Sequence, residues 1–270
     1  MKRRFSYLLL AFMAVFVSAS LNSCTDDPVP LPTGSIKVKF DNVVGSQDLK
    51  LNAETYANAS KENFTVSRLN YYISNIKFIA SNGNNFTVPQ DSSYFLIREG
   101  NVDSQQITIN NVPAGNYTGI EFVIGIDSLR SVSDISKRKG ILDQTSGPTN
   151  EEGMYWNWNP GYIFFMLEGD SDSATSSNGK FYYHIGGFGG LTLKTLNNIR
   201  VTKIDFGAQR ATVSKNAASQ INLKADILKM FNGPTKVSIK ENSSVMFTPY
   251  SKNIADNYVS MFSLDQIIIK

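Results

Sequence analysis

From Ser35 onward apolar and polar residues alternate with a period of two, and that pattern leaves few folds open. Ile36, Val38 and Phe40 fall on one side of an extended segment and Lys37, Lys39 and Asp41 on the other, as in a strand with one buried face. Segments of the same character recur at residues 64–80, 86–88, 94–98, 105–109, 117–124, 162–167, 181–185 and 199–206. Polar turn clusters separate them, among them Ser81-Asn82-Gly83-Asn84-Asn85, which closes a hairpin. The expectation is an all-β chain, a two-sheet antiparallel β-sandwich with long loops and a short C-terminal helix. Residues 226–231 suit one or two helical turns. Thr248 and Pro249 read as the cap and first position of the later helix, with Ile254, Tyr258 and Met261 at helical spacing. Residues 126–160 show no clean period over a length that connections in compact domains rarely reach unless they carry function. The polar stretch 170–179 reads as an exposed hairpin loop.

Ahead of this body stands an export signal. Lys2, Arg3 and Arg4 precede an apolar run from Tyr7 to Val17, and small residues lead into Leu21-Asn22-Ser23-Cys24. The run is shorter than the roughly 20 residues needed to cross about 30 Å of hydrocarbon. Leu-Asn-Ser-Cys resembles a lipobox, which makes Cys24, the sole cysteine, the lipid attachment point. Residues 1–23 are then the lipoprotein signal peptide, 24–34 a proline-rich tether, and 35–270 the sandwich domain. The acidic pair Asp26-Asp27 resembles the surface-export signals of lipoproteins in the Bacteroides group. The expected location is therefore the cell envelope, on the outer membrane, held there by the lipid anchor. Once Cys24 is acylated no thiol remains, so stability must come from a packed core rather than from disulfides.

The formal charge of +3 is carried by Lys2, Arg3 and Arg4, and without the signal 23 basic groups balance 23 acidic ones. That balance speaks against a nucleic-acid partner, which a cationic surface would attract. His184 is the only histidine, which removes a Cys-His dyad, HExxH and multi-histidine zinc sites. No nucleophile elbow or phosphate-cradling glycine loop is present. A glycoside hydrolase leaves no trace at this level because its carboxylate pair is spaced only in three dimensions, and it ranks as the third reading.

Three segments stand out. Residues 119–127 end a strand in Gly125-Ile126-Asp127, residues 153–169 hold both tryptophans in Trp156-Asn157-Trp158-Asn159-Pro160-Gly161-Tyr162, and residues 182–190 carry His184-Ile185-Gly186 before a glycine-rich run. In this order, over roughly residues 34–262, they resemble the MbnP-like family of exported β-sandwich proteins. The resemblance implies a non-enzymatic protein that handles copper, or that is substrate and partner of a di-haem oxidase of the MauG/cytochrome c peroxidase type, which converts a tryptophan to kynurenine. It marks Trp156, Trp158, Gly161 and Tyr162 as the family motif. Members often carry a further histidine after the glycine turn. Residues 127–134 contain none, so His184 alone matches and a two-histidine copper site does not assemble from one chain.

Each of these residues also has a plainer role. A tryptophan at a strand entrance is more often a packing anchor than a reaction site, and the alternate spacing of Trp156 and Trp158 sends both rings to one face. A lone strand histidine is more often bonded to a neighbouring acceptor than to a metal. If copper binds, Met154 or Met166 beside His184 suits Cu(I), whereas Asp127 suits Cu(II) better. The alternative from another class is a surface module for glycan or protein, with Tyr155, Trp156, Trp158 and Tyr162 as an exposed aromatic platform.

Overall fold

A computed structural model describes residues 32–159, 161–190, 194–215 and 217–270. Cys24, the export signal and nearly all of the tether lie outside the described residues. No described helix is long and apolar enough to cross a membrane.

Two sheets face one another, as the alternation requires. The strands that build them are β1 (Thr33–Val44), β2 (Arg68–Ala80), β3 (Tyr94–Arg98), β4 (Gln106–Pro113), β5 (Gly115–Ile124), β6 (Gly161–Asp170), β7 (Lys180–Gly186), β8 (Arg200–Asp205), β9 (Ala211–Val213), β10 (Ser219–Asp226) and β11 (Phe262–Ile269), with helix α1 at Ser251–Tyr258. In the first sheet β1 lies between β10, its parallel partner, and β4, its antiparallel partner, and β11 borders β10. The core between the sheets joins Ile36, Val38 and Phe40 of β1 to Tyr71, Phe122, Phe165 and Tyr183 of the second sheet. Phe40 meets Tyr71, Phe122 and Phe262 edge to face at 6.3, 5.9 and 6.2 Å between centroids, a favoured arrangement of aromatic quadrupoles.

The second sheet is built around the long strand β2, and its register has an unusual consequence. On one side β2 carries β3. On the other side Ile73 faces Ile124 of β5, and two residues earlier Tyr71 faces Phe165 of β6. β5 and β6 therefore run end to end along one line. The next line is broken at the same level, since Gly186 of β7 faces Ile163 while Arg200 of β8 faces Ile124. The chain leaves the sheet at this seam twice, after Ile124 and after Gly186, and returns to it at Gly161 and at Arg200. Gly125 and Gly187 start the two departures at φ values of 116° and 109°, which residues with a β-carbon rarely adopt.

Residues 126–159 lie back over the outer face of this sheet and include short helical turns at Ser128–Ser131, Ile135–Lys137, Gly140–Leu142 and Gly147–Glu151. Beneath them Tyr72, Phe164 and Met166 form a second apolar cluster with Leu142, Met154 and Trp156. Residues 69–74 are accordingly buried on both faces, so this part of β2 lacks the alternation seen in β1.

Several sequence expectations need correcting. β1 starts at Thr33, inside the stretch assigned to the tether, because Thr33 and Gly34 pair with Pro113 and Val112. The C-terminal helix begins at Ser251 rather than Pro249, with Tyr250 in the cap position. The expected single strand over 64–80 is a short pairing at Asn63–Phe64 followed by β2. β9, β10 and β11 were not anticipated.

Candidate functional site

The three motif segments meet at the seam on the outer face of the second sheet. The long excursion is tied down by polar contacts. Asn70 Nδ2 donates to Glu152 at 3.0 Å, Arg98 pairs with the same carboxylate at 3.3 Å, the Tyr72 hydroxyl meets Thr149 Oγ1, and Tyr162 donates to the Leu142 carbonyl at 2.6 Å. Each joins a strand residue to the excursion, so the loop is fixed although it has no sheet of its own.

Trp156 enters through a short antiparallel bridge in which it faces Gly161 while Tyr155 faces Tyr162. Its ring packs over Gly186 and against Phe247, whose centroid is 6.0 Å away, and only 5% of the residue is exposed. Its indole Nε1 is buried without a hydrogen-bond partner among the described residues. Trp158 is 66% exposed, and its ring stands 5.6 Å from that of Trp156 at an interplanar angle of 48°. The result is a tilted pair of indoles with one ring sealed in and the other presented to solvent. The four-residue aromatic platform is not formed, because Tyr162 is buried and Tyr155 turns its ring onto it at 5.1 Å. Burying those rings in the outer cluster outweighs leaving them in water.

His184 and Met166 face each other across β6 and β7, and Glu168 lies on the same face two residues along. His184 Nε2 is 2.7 Å from Glu168 Oε1, and the Arg68 guanidinium is 3.7 Å from Glu168 Oε2 and 3.8 Å from Met166 Sδ. The His184 hydrogen bond holds the Glu168 carboxyl below the usual glutamate range against the opposing effect of burial, with Arg68 assisting. Asp127 is elsewhere. Its carboxylate caps the helical turn at Arg130 N and accepts from Tyr94 of β3, on the far side of β2 from β6 and β7. Met154 lies fully buried in the outer apolar cluster.

Of the four residues considered as copper ligands, the structure thus brings together only His184 and Met166, and it places a guanidinium beside the thioether. As they stand, His184 Nε2 is bonded to Glu168 and an Arg68 guanidinium nitrogen lies against the Met166 sulfur, so neither of these donor atoms is free. Among the described residues no three or more His, Cys, Asp or Glu side chains converge as a metal site. Arg68, Glu168 and Phe247 had no role in the sequence reading. Glu168 was within reach of it, since a strand residue two places from Met166 shares its face, but Arg68 and Phe247 come from distant parts of the chain.

A family model described as MbnP matches residues 33–247. The chain belongs to the MbnP family. Among solved structures it is similar to MbnP from Methylosinus trichosporium, with a TM-score of 0.51, 14% identity, and coverage of 81% of this chain and 82% of that one. That likeness concerns the fold. No curated protein matches the chain. Within the MbnP family match lie the Trp156–Tyr162 segment, the His184–Gly186 strand end and the seam that joins them.

Proposed function

We propose that this MbnP-family protein is a non-enzymatic lipoprotein of the cell envelope, anchored at the outer membrane through Cys24, and that its tryptophan pair is where a di-haem oxidase partner acts. The observation that carries this reading is the contact between exposed Trp158 and sealed Trp156. A large protein partner reaches the outer ring directly, and an electron hole formed there has an aromatic neighbour 5.6 Å away. Conversion of an indole to kynurenine consumes two peroxides, which open the C2–C3 bond, place an oxygen on each carbon and leave as two waters; one water then hydrolyses the N1–C2 bond of the resulting N-formyl group and releases C2 as formate. The co-reactant is peroxide, supplied with the partner.

The test is incubation of the full mature chain with a di-haem oxidase and hydrogen peroxide, followed by peptide mass spectrometry. Kynurenine is expected in the peptide containing residues 156–158, and Trp158→Phe is expected to abolish it. An unmodified peptide, or equal yield from Trp158→Phe, would sink the proposal.

Copper handling, the other activity the resemblance implies, would have to displace Glu168 from His184 Nε2 and Arg68 from the Met166 sulfur. Calorimetric titration with copper should accordingly show no tight site that depends on this residue, and His184→Ala should match the unaltered protein. Tight binding lost only in the variant would restore His184 as a ligand and require Arg68 to swing away from Met166.

A further inference from the structure

We propose that a cleft beneath the long excursion binds an organic carboxylate with an apolar body. The cleft lies between the turn at Gln90–Ser92 and the excursion, encloses about 460 Å³, and is lined by Tyr94, Arg130, Lys137, Lys139, Ile141 and Leu142, among others. That volume falls in the usual range of small-molecule sites, about 300–1,000 Å³.

Its chemistry is two-sided. Arg130 supplies a fixed cation: its guanidinium donates to the Lys137 carbonyl and to the Asp91 carboxylate, and it lies 5.0 Å above the Tyr94 ring. The side chain is only 10% exposed, so it keeps one position, and little ordering entropy is lost when a ligand arrives. Lys137 and Lys139 add two cations at the exposed rim, and neither forms an ion pair among the described residues. The one carboxylate on the wall is Asp91, held below the usual aspartate range by its bond to Arg130 and, at longer range, by Lys137. Three cations face Asp91, the one carboxylate lining the cleft, while Asp127 stands behind it bonded to Tyr94 and Asp134 lies within electrostatic reach of Lys137. The floor is apolar, with Ile141 half-buried and Leu142 buried. Tyr94 and Ile141 also line a second cleft of about 460 Å³ with Leu96 and Ile107.

A small hydrophilic anion would satisfy the lysines and leave the floor wet, whereas an uncharged apolar molecule would do the reverse. A carboxylate with an apolar tail meets both, and Asp91 shows that this head group already suits the guanidinium. The inference uses no residue of the tryptophan pair and stands apart from the oxidase reading.

Calorimetric titration of the full mature chain with decanoate, decanol and acetate tests it. Decanoate is expected to bind saturably at a single site, and decanol and acetate at least about tenfold more weakly. Changing Lys137→Ala and Lys139→Ala together should weaken decanoate by about tenfold while the melting temperature stays unchanged, since both side chains are exposed. Equal binding of decanol and decanoate, indifference to the double change, or adsorption to anionic lipid vesicles without any decanoate binding would each overturn it.

Discussion

Glu62→Ala is expected to destabilise the protein by about 3–5 kcal/mol, because four donors lose one acceptor group at once. Glu62 is 7% exposed. Its carboxylate accepts from Asn58 Nδ2 at 2.7 Å, from Ser238 Oγ at 2.7 Å, and from the backbone N–H groups of Ile239 at 2.7 Å and Lys240 at 3.0 Å. It clamps a turn ahead of β2 to a segment 177 residues away in sequence. Truncation leaves the Ile239 N–H buried with no partner, in a residue that is itself fully buried. For a domain of this size the loss corresponds to about 10 °C in melting temperature.

The same clamp has a pH signature. Burial pushes the Glu62 carboxyl upward, but its hydrogen bonds, led by those from Asn58 and Ser238, prevail and hold it below its ordinary value of 4.5. A folded pKa below the unfolded one means that the stabilisation is complete above 4.5 and fades as the pH falls through the lowered value. Urea denaturation should show the unaltered protein losing part of its advantage over Glu62→Gln as the solution is acidified below that range. An advantage that stays constant with pH would mean that the charged form is not what the clamp holds.

Gly186→Ala is expected to destabilise by about 3 kcal/mol and to loosen the tryptophan pair. A β-carbon there would lie well inside van der Waals contact with the Tyr162 carbonyl oxygen and 2.8 Å from the Trp156 ring. The carbonyl belongs to β6, which pairs with β7 beside it and has no room to retreat. Relief of the carbonyl contact needs a shift of the β7 end at Gly186, and the Trp156 ring seated on that end gives way toward solvent. Tryptophan emission should shift to the red and acrylamide quenching should rise, with far-ultraviolet dichroism nearly unchanged. Emission identical to that of the unaltered protein would show that Trp156 is not seated on Gly186.

These two sites differ in how far the sequence reveals them. The strand end His184-Ile185-Gly186 and the Trp156–Tyr162 segment stand out by composition and order, and the family match over residues 33–247 agrees with that reading. Glu62 carries no such sign, since a glutamate in a polar turn looks solvated until a partner from residues 238–240 arrives. β10 is legible in the sequence: Ile221, Leu223 and Ala225 alternate with Asn222 and Lys224 as cleanly as the residues of β1. β11 is less so. It is an edge strand whose residues after Phe262 are exposed or half-buried, so burial imposes little pattern on it.

The period of two in the sequence determined by itself that Ile36, Val38 and Phe40 share a buried face, that the body is all-β, and that the alternation lapses after residue 126. It could not determine which strand lies beside which. Only the tertiary structure decided that β5 and β6 continue one line, that the seam between them admits Trp156 over Gly186, and that His184 bonds to Glu168, which Arg68 in turn approaches. The physical reason is that alternation encodes the face a side chain occupies. Register and neighbours arise from long-range pairing and from packing under the excursion, and these depend on the whole core closing at once.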